Sequence, residues 1–133
     1  MTKEKWIVSL GCFLLLVILA ISLSGRKPYR DLDTAEIASA TVHLILPDET
    51  RQVSELKELV GYLNDLVIYQ QDNSYTEYSG QSVCITLTMR DGSRQEIIVA
   101  SPFVILNGTG YRAEYVPCER LNRYANELLT QPE

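Results

Sequence analysis

Cysteine, histidine and paired carboxylates are the groups from which a site in this chain could be built. Apart from Cys12 there are two cysteines, Cys84 and Cys118, and one histidine, His43. A thiol at the start of a helix can be held as thiolate by the helix dipole, and Cys118 opens the last apolar-periodic segment. Such a nucleophile needs a base, and His43 is the one candidate. The adjacent Glu119 works against it, because a neighbouring carboxylate disfavours the thiolate. The spacing is neither C-x-x-C nor H-x-x-x-H, so no zinc site is indicated and no metal or other cofactor is expected. Asp31, Asp33 and Glu36 begin like a calcium loop but lack the glycine at the bend. Glu77 and Glu114 are carboxylates an acid/base hydrolase could use, yet no spacing pairs them. No catalytic residue is assigned, and the chain reads as no enzyme.

Two further features invite a site. Cys84 and Cys118 could close a disulfide around about 34 residues, worth roughly 3 to 4 kcal/mol in the chain-entropy model, or remain separate buried thiols; both readings stand. Asn107-Gly108-Thr109-Gly110 matches a glycan acceptor and begins like a phosphate loop, but no G-K-[ST] follows; a hairpin turn accounts for all four residues. The tyrosines carry the binding expectation. Tyr75 and Tyr78 stand near Tyr69, and Tyr111 and Tyr115 lie on the last hairpin. Tyrosine buries area at low entropic cost while keeping a polar tip. Tyr75, Tyr78, Tyr111 and Tyr115 are therefore the candidate ligand or partner surface, with the alternative that they rim the core.

The elements that must position these residues follow from periodicity. Residues 37–46 alternate, with Ala38, Ala40, Val42, Leu44 and Leu46 on one face, which predicts a half-buried strand ended by Pro47. Residues 47–52, "PDETRQ", read as a turn. Leu56, Leu59, Val60, Leu63 and Leu66 have helical spacing, and Gly61 inside that helix suggests close packing. A short strand at 67–70, an edge strand at 75–78, and strands at 82–89, 94–100, 103–106 and 109–115 follow. Asp91-Gly92 and Asn107-Gly108 turn two of the hairpins. A closing helix begins at Pro117 and lines up Leu121, Tyr124, Ala125, Leu128 and Leu129. The expected fold is α+β: a two-layer sandwich of a mostly antiparallel sheet, five or six strands wide, with two helices on one face. The other face is expected to be polar and partly wet, with Ser39, His43, Thr86 and Thr88 on it.

Placement rests on residues 6–25, "WIVSLGCFLLLVILAISLSG". From Ile7 to Ser24 there are 18 residues without a charge. That length suits a transmembrane helix better than a secretory signal, whose apolar core is roughly 7 to 15 residues, although Ala20-Ile21-Ser22 would admit cleavage. The residues before Cys12 are in the wrong order for lipid attachment. A short basic leader followed directly by the apolar run reads as an export signal, although the flanking positive charges are nearly balanced. The chain divides into a signal-anchor helix (1–25), a juxtamembrane tether (26–35) and an extracytoplasmic domain (36–133). From Asp31 to Glu133 there are one Lys and six Arg against six Asp and ten Glu. A surface so acidic argues against nucleic acid and against electrostatic adhesion to anionic lipid.

The order of basic N-terminus, single apolar segment, "ASATV", "ELKELVGYLNDLVIY", "DNSYTEYSGQSV", "LTMRDG" and "YRAEYVPCERLNRYAN" resembles uncharacterised small single-pass membrane proteins of clostridia-like Gram-positive bacteria. The resemblance implies an extracytoplasmic α+β domain on the cell membrane and supplies no catalytic residues. The expected function is a membrane-anchored extracytoplasmic binding or sensory module without catalytic activity. Its expected partners are the membrane, through a single pass, and another membrane or extracellular protein. The alternatives are an accessory subunit of a larger membrane complex and a small hydrolase.

Overall fold

The structure, a computed structural model, describes residues 3–45, 48–77 and 80–131; the side chains of residues 20–23 lie outside the description. In chain order there are α1 (Lys3–Leu23), β1 (Ile37–Leu44), β2 (Glu49–Gln52), α2 (Leu56–Asn64), β3 (Ile68–Gln71), β4 (Val83–Met89), β5 (Arg94–Ala100), β6 (Phe103–Leu106), β7 (Thr109–Ala113) and α3 (Tyr115–Thr130). The strands make one antiparallel sheet in the order β2-β1-β4-β5-β6-β7-β3. The α+β class is as expected, but the sheet has seven strands, wider than the periodicity predicts.

Three local features differ from the expectation. Residues 49–52, expected as a turn, form β2, whose partners include Val42 opposite Arg51 and His43 opposite Thr50. Their polar sequence hides a strand because only edge pairing holds it. The expected edge strand at 75–78 is instead a 3-10 turn at Ser74–Glu77, begun by Asp72, whose side chain accepts from the Ser74 N–H at 3.0 Å. In β1 the pairing to β4 shifts between Ile37 and Ser39. This irregularity turns Ala38 outward and lets Ile37 be buried beside Ala40, Val42 and Leu44.

α2 and α3 cover one sheet face. Leu59 and Leu63 from α2, and Leu121 and Ala125 from α3, share a core with Val42, Ile85, Leu87 and Ile97. Burying each large aliphatic side chain stabilises the fold by about 1.5–3 kcal/mol relative to leaving it exposed. The opposite face is only partly polar. Ser39, Thr41, His43, Thr86 and Thr88 are half-buried there. Towards β5 and β6, however, Ala100, Phe103 and Ile105 form a second apolar cluster, packed by Tyr75 from the 3-10 turn. The strand period predicts it: Val99 and Val104 face the helices, so their neighbours must face away.

The segment expected as a tether is folded onto the domain. Arg26 exchanges both backbone hydrogen bonds with Ile68, each at 2.9 Å. The Asn64 side chain donates to the carbonyls of Tyr29 at 2.6 Å and Leu32 at 3.2 Å. Tyr29 and Leu32 pack against the main core, and burial pushes the Tyr29 phenol up to about 12. Asp33 then caps a 3-10 turn at Thr34–Glu36, which leads into β1. The proline and charges that suggest a linker are a strap across the sheet.

α1 contacts the domain near β3. Its side chains from Trp6 to Leu19 are exposed on every side, with Leu15 and Leu16 at 67% and 64%. Among the described residues no helix is long and apolar enough to cross a membrane; the helical backbone of α1 itself runs 21 residues, into the apolar stretch whose side chains lie outside the description.

Candidate functional site

The residues singled out for chemistry are placed apart. Cys84 lies between Val83 and Ile85, both fully buried toward the helices, so it faces the open side of the sheet. Cys118 is buried in the core between sheet and helices. The sheet separates the two thiols, and both are free, which corrects the Cys84–Cys118 disulfide. Burial, with Glu114 nearby, pushes the Cys118 thiol up to about 12. The helix dipole therefore does not make it a nucleophile. Cys84 is also raised, by burial first and then by Glu96.

His43 does sit across from Cys84 in the β1–β4 register, but neither ring nitrogen is turned to the thiol. Nδ1 is 2.6 Å from the Thr50 hydroxyl, and Nε2 is 3.1 Å from the Asp48 carboxylate. The imidazole ties β1 to β2 and the turn before it. Among the described residues no three His, Cys, Asp or Glu side chains come together to hold a metal. Glu114 accepts a hydrogen bond from the Tyr69 hydroxyl, which raises that phenol. Glu77 ends the exposed 3-10 turn.

The three described tyrosines of the four, Tyr75, Tyr111 and Tyr115, are placed apart. Tyr75 lies over Gly110 on the far face, its hydroxyl 3.4 Å from the Gly108 carbonyl. Tyr111, the next residue along β7, points to the helix side, packs on the main core and has the Arg26 guanidinium 5.2 Å from its ring centre. Tyr115 is exposed at the start of α3. Tyr78 lies outside the described residues. Asn107 is fully engaged in its turn: its side chain accepts from the Glu96 N–H at 2.8 Å and donates to Gln95 at 2.9 Å.

A broad concavity lies instead on the outer surface of the helical layer. α2 buries Leu59, Val60 and Leu63, which leaves Lys57, Glu58 and Gly61 outward. α3 buries Leu121, Tyr124 and Ala125, which leaves Arg120 and Arg123 at its edge. Between them runs an open groove of about 510 Å³ lined by Glu58, Gly61, Tyr62, Asp65 and Arg120 among others. Its aromatic wall is Tyr62, whose ring packs on the buried Tyr124, ring centres 5.2 Å apart and tilted by 38°. Burial, then Glu58 and Tyr62, pushes the Tyr124 phenol up to about 12. The rim mixes both signs of charge, with Glu55, Glu58 and Asp65 alongside Lys57 and Arg120. Such a surface can receive an apolar or aromatic group and orient it with ion pairs.

Sequence reasoning missed this groove because it forms only where α2 and α3 pack together: Tyr124 belongs to the apolar stripe of the closing helix, and Tyr62 carries no expectation of its own. One signal was present. Gly61 costs the helix about 1 kcal/mol relative to alanine, and close packing does not explain it: an added Cβ would meet nothing within 4 Å. The glycine keeps the groove floor open. No family model, curated protein or solved structure matches the chain.

Proposed function

We propose that the protein is a single-pass, membrane-anchored binding or sensory module of the cell surface, without catalytic activity, whose contact surface is the groove between α2 and α3. One observation carries the reading: apolar exposure is concentrated in α1. Among the described residues, the exposed large hydrophobics other than Ile45, Tyr115 and Val116 lie on that helix. A solvated chain rarely shows such a continuous apolar surface, and lipid is its natural cover. At 1.5 Å per residue, the 18 uncharged residues of α1 from Trp6 to Leu23 span about 27 Å, close to the roughly 30 Å hydrocarbon thickness. The domain at its end offers an aromatic-walled groove and no activated nucleophile, which favours binding over hydrolysis. On this reading the chain stands with the small membrane-anchored proteins of Gram-positive bacteria that it resembles, and the domain lies outside the cytoplasm.

Photo-crosslinking in intact cells tests the contact surface. A photoreactive side chain is placed at Lys57, on the groove, or at Thr88, on the open sheet face. The expected result is an adduct from Lys57 that disappears in Gly61→Leu, a change that fills the groove without loss of helix propensity. Adducts from Thr88 alone, or adducts from Lys57 unaffected by Gly61→Leu, would contradict the assignment.

A further inference from the structure

We infer that the β3 edge of the domain is seated at the lipid headgroups, so that the sheet stands away from the bilayer edge-first with β2 farthest out. The inference rests on α1 being a membrane anchor, and it adds where the domain touches that membrane.

The joint between helix and domain has no slack. α1 ends at Leu23, and after Ser24 and Gly25 the backbone of Arg26 is already paired with Ile68. Gly25 lies flush on the strand: an added Cβ would collide with the Val67 side chain and come within 3.0 Å of the Tyr69 ring. The bridge is antiparallel, so the chain before Arg26 runs back along β3, where α1 makes its contacts with the domain.

Length then fixes depth. The whole uncharged part of α1, Trp6 to Leu23, is needed to cross roughly 30 Å of hydrocarbon, leaving Leu23 near the boundary. Three Cα steps reach at most about 11 Å, and the headgroup zone is about 5–8 Å deep on each side. Arg26 and the strand paired to it therefore cannot leave the membrane surface without breaking the bridge. The chemistry agrees. Arg26, Lys27 and Arg30 stand directly after the helix, and β3 itself, Ile-Tyr-Gln-Gln, carries no carboxylate. An open strand edge invites association with other chains; here the helix end and the headgroups cover it. The opposite edge, β2, is four residues long and carries Glu49 and Arg51. Because the domain is strongly acidic, the seat is set by the joint and not by charge, and it forms on neutral phosphatidylcholine.

Depth-dependent fluorescence quenching tests this on the full chain in phosphatidylcholine vesicles doped with headgroup spin-labelled lipid. In a Trp6→Phe background, tryptophan is placed at Gln70 on β3 or at Gln52 on β2. Both are exposed, and six strand spacings separate the edges by about 29 Å. The expected result is quenching at least about threefold stronger for Gln70→Trp, a difference that a flexible eight-residue insertion after Gly25 removes. Vesicle retention after an alkaline carbonate wash separates the two claims. A retained chain with equal quenching at both positions overturns the seat and leaves the anchor standing. A chain released by the wash overturns both.

Discussion

Gly61→Ala should make the protein more stable, and by a calculable amount. Gly61 is the sixth of the nine residues of α2, so it lies in the helix interior. Alanine is favoured there by about 0.8–1.0 kcal/mol. Nothing in the structure offsets that gain, because the new methyl group meets no atom within 4 Å and points into the open groove. For a domain of about 100 residues, roughly 1 kcal/mol corresponds to about 4–8 °C in Tm. The assay is thermal unfolding of the full chain in mild detergent, followed by circular dichroism and repeated by urea titration to show that the denaturant slope is unchanged. A Tm that falls, or stays within a degree of the parent, would refute the reasoning, because it would mean that position 61 needs glycine for packing or backbone shape. The same methyl group narrows the groove, so the crosslinking yield from Lys57 should fall while the fold strengthens.

The opposite sign is expected at Gly110, where an added Cβ would lie 2.6 Å from the Asp72 carbonyl oxygen and 2.5 Å from the Tyr75 ring. Gly110→Ala should cost about 1–3 kcal/mol, read as a lower urea midpoint, and unchanged stability would show that the 3-10 turn is not docked on β7. Arg51→Ala removes a guanidinium that donates to the Gln131 carbonyl at 2.6 Å and reaches the Leu128 and Leu129 carbonyls; the loss should be about 1 kcal/mol, with Arg51→Lys recovering only part of it. Tyr29, Tyr124 and Cys118 are all raised to about 12 by burial. Burial thus disfavours their anions in the folded state, so their contribution is intact below about pH 9 and is lost as the pH climbs toward 12. Tyrosinate absorbance from the buried pair should appear together with loss of circular dichroism; early ionisation in a native fold would count against the packing of Tyr29 and Tyr124. Thiol titration in denaturant without reductant should find all three cysteines, and a count of one would restore the Cys84–Cys118 bridge.

Much of this architecture is legible in the sequence, and its failures have physical causes. The α2 and α3 stripes, the β4–β5 hairpin at Asp91-Gly92 and the β6–β7 hairpin at Asn107-Gly108 could be read because each is a local pattern. Asn107 and Gly108 both have positive φ, at 50° and 91°, as a two-residue turn requires. β2 was not legible, because Glu-Thr-Arg-Gln has no alternation and is held only by its partner. The strap at 26–35 read as a linker because its contacts, Asn64 on Tyr29 and Leu32 among them, are with residues more than 30 positions away. The sequence could not show that Tyr75 and Tyr111 part company: Gly110 and Tyr111 alternate across β7, so Tyr75, which lies over Gly110, and Tyr111 fall on opposite faces. The groove was the converse case, since Tyr62 and Arg120 meet only through helix packing.

The account stands or falls on α1. The most direct test is membrane retention of the full chain after high-salt and carbonate washes, combined with a C-terminal reporter active only outside the cytoplasm and a second that fluoresces only inside. The account predicts a chain that stays with the membrane and lights the external reporter. Release into the wash, or a C-terminus that fluoresces inside the cell, would contradict it.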